Sequence, residues 1–329
     1  MIKPTTNMLI IELNEFCPKH LEEISEKLGL ENIRKILSFN HSLTFSKDKK
    51  EFQGLDPWVQ WVSIHKGVSL KKHGIKRLGI NKDSRYPQIW NSLAKEKNLT
   101  WIVTGVMNAK KGNSKGCISF FPDPWSSNEK AFPKQLNLLL ELPRYVSKNY
   151  LSLNYLCLLK KTLKALFFFS RRENLNILKK LLLKLLESTI KPGINIHTLT
   201  TLLDYILVLY FSRERLQKKP DLSIIFLNHI AHLQHHFWMK PPFIHPQMEH
   251  GIRICDEIIG ILLDSVDYQK DKIIIMNAFK QKRSDHLGIQ VYRQKNPKLV
   301  LNKLNINNVR IEQNMTNDGT LFFKNKKDK

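Results

Sequence analysis

The chain has 329 residues, 42% hydrophobic and 9% aromatic, with 53 Lys and Arg against 29 Asp and Glu, a formal net charge of +24. That length and apolar share support one large α/β domain or two ordinary ones and exclude a disordered composition. The basic excess is carried by 41 Lys against 12 Arg, which reads more readily as a solvated lysine surface than as a nucleic-acid site, where the planar Arg fork is favoured.

The first buried-strand signal is MLIIEL at 8–13, a continuous apolar run suited to a strand covered on both faces. NEFCP ends it, and KHLEEISEKLGLENIRKIL at 19–37 has helical spacing. SLTFS at 42–46 predicts a second strand. DPWVQWVSIHKGVSLKKHGI occupies 56–75, with Pro57 suited to the first turn of a helix and Asp56 to its N-cap. YPQIWNSLAKEKN (86–98) predicts a helix and LTWIVTGV (99–106) a strand. KKGNSKG at 110–116 does not fit GxxxxGK(S/T) between a strand and a helix and reads as a surface loop.

From 131 to 217 strand signals disappear and four helical, lysine-rich patterns follow one another. This segment is a helical insertion: a cap packed on the sheet or, in part, a basic amphipathic surface lying on an anionic membrane. The α/β pattern resumes with PDLSIIFLNH (220–229), a buried strand, then the helices HIAHLQHHFW and HGIRICDEIIGILLDSVDYQ, then the strand DKIIIMNA (271–278). GIQVYR and VRIEQ are short strand-like pieces before a charged end, KNKKDK. Strands alternating with helices predict a mostly parallel central sheet with helices on both faces, as one α/β domain over 1–329 with a helical insertion at 131–217.

Cys17, Cys117, Cys157 and Cys255 form no CxxC pair, so reduced thiols in a cytoplasmic protein are expected. No leader-like apolar run with a small-residue cleavage site opens the chain.

Ligands in open parallel sheets bind at the carboxyl ends of the strands. That rule selects Glu12 and Asn14, Asn108, Asn228 and His229, and Asn277. The densest chemistry is NHIAHLQHHFW, with His229, His232, His235 and His236. On a helix His229, His232 and His236 share a face, and His232 with His236 has the i, i+4 spacing by which two imidazoles hold one metal. His20, His41 and His197 stand alone in the sequence and read as structural or surface residues.

The element order and the phrase ending His73-Gly74-Ile75 resemble the alkaline phosphatase superfamily, especially its phosphodiesterase and nucleotide pyrophosphatase branch. Ser63-Ile64, Gly67 and His73-Gly74-Ile75 match that branch's nucleophile region. The resemblance implies an alkaline-phosphatase-like fold, two zinc ions held by Asp and His at strand ends, and a Thr or Ser nucleophile at a helix start. This chain departs at each of those positions. The nucleophile falls on Pro57, and the first metal Asp falls on Asn14, with Glu12 two residues earlier. The Asp-x-x-x-His falls on Ala231 and His235 or, shifted by three, on Asn228 and His232; the last Asp-His falls on Ala278 and Phe279. A literal Ser284-Asp285-His286 lies seven residues beyond the expected Ser and reads as coincidence.

The resulting expectation is a divergent hydrolase of an anionic phosphate or sulfate ester. Glu12 or Asp56 would be the base, His73 an acid, and Gln60 a group orienting the substrate. Asn14, His65, Asn108, Asn228 and Asn277 would contact the substrate. His229, His232, His235 and His236 could hold one divalent metal, with zinc favoured by the donors. The competing expectation is a non-catalytic descendant that binds a ligand or a partner.

Overall fold

The computed structural model describes residues 7–47, 55–79, 85–112, 115–126, 128–149, 153–238, 243–281, 292, 294–307, 309–313 and 319–324. The apolar run at the start of the chain forms β1 (Asn7–Leu13), which has no free edge. It runs parallel to β4 (Leu222–Leu227) on one side and β5 (Asp271–Met276) on the other, with Ile11 level with Ile225 and Ile275. Beyond β4 lie β2 (Trp101–Thr104) and the edge strand β3 (Cys117–Phe121), giving a wholly parallel five-stranded sheet in the order β3-β2-β4-β1-β5.

Strand alternation divides the core in two. Leu9, Ile11 and Leu13 of β1, with Ile225 and Leu227 of β4, face one helical layer: α1 (Pro18–Leu28), α2 (Glu31–Leu37), α9 (Ile196–Lys218), α10 (His229–Phe237) and α11 (Pro246–Asp264). Ile10, Val103, Ile224 and Phe226 face the other, made by α3 (Pro57–Lys66) and α5 (Ile89–Lys97), where Trp61, Trp90 and Trp101 are fully buried. Burying one such indole contributes roughly 4–6 kcal/mol of gross transfer free energy, which makes this smaller layer a firm seat for α3. The expected α/β class, with a parallel sheet covered on both faces, is therefore what the chain adopts.

The remaining α-helices among the described residues are α4 (Leu70–His73), α6 (Leu136–Asn149), α7 (Tyr155–Phe169), α8 (Leu175–Ile190) and α12 (Pro297–Lys303), and β6 (Val309–Gln313) pairs antiparallel with β7 (Gly319–Phe323). The stretch 131–217 holds α6, α7, α8 and all but the last residue of α9. Its last helix is core rather than cover, since residues 204–212 of α9 are all buried.

Two local expectations are corrected, and one strand is added to those the sequence predicts. Residues 42–46 form no strand: they have no ladder partner, and Leu43 and Phe45 stand 80% and 87% exposed. The single helical pattern at 19–37 breaks into α1 and α2 at Gly29, whose φ of 67° closes α1 in the left-handed region that glycine enters without strain. The added strand, β3, begins directly after Gly116. At Gly116 (φ 84°) a Cβ would lie 2.1 Å from the Leu99 carbonyl oxygen, so only glycine lets β3 reach β2. GIQVYR lies outside the described residues apart from Tyr292, and Ser284-Asp285-His286 lies wholly outside them.

Candidate functional site

The carboxyl ends of β1, β4 and β5 are adjacent, so their polar residues meet. Glu12 Oε1 lies 2.6 Å from His65 Nε2 on α3, with 0% and 3% of the two residues exposed. The His65 ring packs between Trp61 (5.9 Å) and Trp90 (5.4 Å). Glu12 and His65 therefore face each other inside the smaller layer and not a cleft. A role for Glu12 as base or for His65 as a substrate contact would need this layer to open.

Asn14 Nδ2 donates to Asn228 Oδ1 at 2.8 Å, and Asn14 Oδ1 accepts from Trp61 Nε1 at 2.8 Å. The two amides satisfy one another. Two carboxylates at that distance would need a cation or a shared proton between them. Asn at both positions is thus the chemistry of a strand-end junction that closes without a metal.

The other expected site residues brace loops. Asn277 Nδ2 donates to the Phe16 and Phe279 carbonyls (2.7 and 3.0 Å). Asn108 accepts from Gly79 N (2.7 Å), donates to Arg77 O (3.1 Å), and its own N–H goes to Asp123. His73 Nδ1 accepts from Ile75 N (3.0 Å), which leaves Nε2 to donate to Ser63 Oγ at 2.9 Å. The His-Gly-Ile phrase is therefore a clasp between α4 and α3. Asp56 stands at the N-cap of α3, before Pro57, and makes no side-chain capping bond; burial pushes its carboxyl above the usual range. Gln60 is half-buried on α3.

The histidines divide into three environments. His229 is buried, and its Nδ1 donates to Asp204 Oδ2 of α9 (2.8 Å); the same oxygen accepts the backbone N–H groups of Asn228 and His229, both at 2.8 Å. Asp204 thus does across space what an N-cap does along the chain. His235 is exposed and pairs with Glu15 Oε2 at 3.1 Å. His232 and His236 turn to a residue that the sequence pattern did not select. His197 Nδ1 lies 2.9 Å from His232 Nε2, and one ring nitrogen from each of His197, His232 and His236 lies within 4.8 Å of the others. Asn195 fixes the start of α9 by accepting from the N–H groups of His197 and Thr198. Among the described residues the metal-competent group is therefore His197, His232 and His236; His229 and His235 point to Asp204 and Glu15.

Burial, and after it the neighbouring imidazoles, push the His232 pKa down to about 4 and lower those of His197 and His236. Neutral rings present lone pairs, as metal ligation requires. The depressed pKa makes stability pH-dependent. With His232 at about 4 folded against 6.5 for the free side chain, the unfolded chain takes up the proton first. The contribution is complete above pH 6.5 and lost as pH falls towards 4. Denaturant midpoints of the metal-free protein are expected to drop across that window, and the slope should flatten in His232→Phe. An unchanged slope would show that His232 does not carry the effect.

No family model matches the chain, and no curated protein matches its sequence. Among solved structures, phosphonoacetate hydrolase from Sinorhizobium meliloti 1021, in complex with phosphonoformate, is similar over 98% of this chain and 70% of that chain, at 12% identity and a TM-score of 0.49. A likeness at that level establishes neither a shared family nor shared chemistry.

Proposed function

We propose that the protein is a divergent hydrolase of an anionic phosphate or sulfate ester, and that His197, His232 and His236 hold a single divalent metal, zinc by donor type. The observation that carries this reading is the convergence of three ring nitrogens within 4.8 Å, on neutral imidazoles at the carboxyl side of β4. Three imidazoles suit one zinc with a position left open. A two-zinc centre does not fit these residues: Asn14 and Asn228 bond to each other, and Ala278 and Phe279 cannot ligate. Bound there, zinc would polarise an ester oxygen. The exposed His235 pairs with Glu15 through Nε2 next to His236, and the basic surface would draw an anion in. The descent suggested by Ser63-Ile64, Gly67 and His73-Gly74-Ile75 is part of this proposal.

A second reading, a non-catalytic binding protein, is favoured by one specific arrangement: Pro57 opens α3 where a nucleophile would stand, and Glu12 with His65 is closed to solvent. Metal analysis and a screen of phosphomonoesters, phosphodiesters and sulfate esters separate the two. One zinc per chain is expected. His232→Ala should weaken zinc binding by more than the roughly 10- to 100-fold typical of losing a residue that only supports a ligand, and turnover should fall in parallel. Zinc binding without turnover on any of the three ester classes would leave the binding reading. Failure to bind zinc would overturn the metal site itself.

A further inference from the structure

The helices α7 and α8 each bury one stripe and leave a second apolar stripe in water. In α7, Ala165, Phe168 and Phe169 are buried, whereas Leu156, Leu159, Leu163 and Leu166, spaced by three, four and three residues, are 48–79% exposed. In α8, Leu175, Leu182, Leu186 and Ile190, spaced by seven, four and four, are 49–88% exposed. These spacings put each set on one face of its helix. Exposed apolar patches of this extent mark an interaction surface.

The charge beside the stripes is predominantly positive, the one acidic side chain of the two helices, Glu187, being paired with Lys184. The α7 sequence contains no Asp or Glu, and Lys160 stands four residues after Leu156, exposed at the edge of its stripe. In α8, Lys179 falls between Leu175 and Leu182 on the leucine face, and Lys180 is also exposed. Lys161 and Lys164 are drawn back to Glu141, and Lys184 to Glu187 and Glu257. Two copies meeting through these faces would oppose lysine to lysine. A bilayer of anionic lipid satisfies both features at once, with apolar side chains at the acyl boundary and ammonium groups among the phosphates. Among the described residues no helix is long and apolar enough to cross a membrane, so contact would be in the plane of the surface.

We propose that α7 and α8 form a docking surface for an anionic membrane, with the leucine stripes seated in the interface and Lys160, Lys179 and Lys180 on the lipid headgroups. This surface shares no residue with the histidine triad and stands independently of it.

The test is co-sedimentation of the full chain with vesicles of phosphatidylcholine containing about one-third phosphatidylserine, compared with pure phosphatidylcholine. Binding to the anionic vesicles is expected, weakened by salt. Replacing Lys160, Lys179 and Lys180 by Ser should lower affinity about 100-fold. Leu159→Ser with Leu163→Ser and Leu182→Ser with Leu186→Ser should each lower it at least about tenfold. Circular dichroism and melting temperature should stay unchanged in these variants, because the side chains are exposed. Equal binding to both vesicle types, or none to either, would overturn the proposal. So would a lipid-free dimer abolished by the leucine substitutions, which would assign the face to a second copy.

Discussion

Glu12→Ala is expected to destabilise the fold by about 3–5 kcal/mol, the cost of removing one partner from a buried hydrogen-bonded pair. The His65 ring would keep its place between Trp61 and Trp90 with Nε2 facing no acceptor. Glu12→Leu combined with His65→Phe should recover most of that loss, because replacing both partners by apolar groups leaves no orphaned polar atom. Denaturant unfolding of the two single variants and the double variant gives the coupling directly. Wild-type stability in Glu12→Ala, accompanied by loss of ester hydrolysis, would show instead that the pair opens to substrate. The same experiment therefore tests whether the strand end of β1 is structural.

For Asp204→Ala a stability loss of about 2–4 kcal/mol is expected, since one carboxylate oxygen accepts two backbone N–H groups and an imidazole N–H at the first turn of α10. The effect should extend to zinc, because that turn sets the position of His232 and, one turn later, His236. Asp204→Asn keeps an acceptor for the backbone N–H groups and should cost about half as much. Isothermal titration with zinc and urea denaturation, run on both variants, read the two effects separately. A folded Asp204→Ala with wild-type zinc affinity would mean that α10 holds its own start without help from α9.

How much of this was legible in the sequence follows the range of the interactions. The continuous apolar runs of β1 and β4 announce strands buried on both faces, because burial is written locally in residue type, and DKIIIMNA announces β5, which forms the half-exposed edge. The placement of α3, with Pro57 at its first position and Gly67 closing it, is equally local. The i, i+4 pair of His232 and His236 is local too, and the structure brings both to one point. His197 was not legible: it lies 35 residues before His232 and meets it only through the packing of α9 on α10. Asp204 escaped for the same reason. Residues 42–46 had strand spacing but no partner, and spacing alone does not supply a ladder. The polar residues after each strand stand at the strand ends, yet Asn14 and Asn228 turn to each other and Asn108 and Asn277 turn to backbone. Sequence order identifies which side chains arrive at the strand ends, and only the packing decides which way they face.

The placement of His197 and Asp204 on one buried helix has a consequence for how this chain can vary in length. Seven residues separate them, which is close to two whole turns, so both look towards α10. A single residue gained or lost between them would swing one by about 100° relative to the other, while the buried side chains further along α9 hold the rest of the helix in phase. The stretch from Asn195 to Asp204 therefore keeps count like the teeth of a gear.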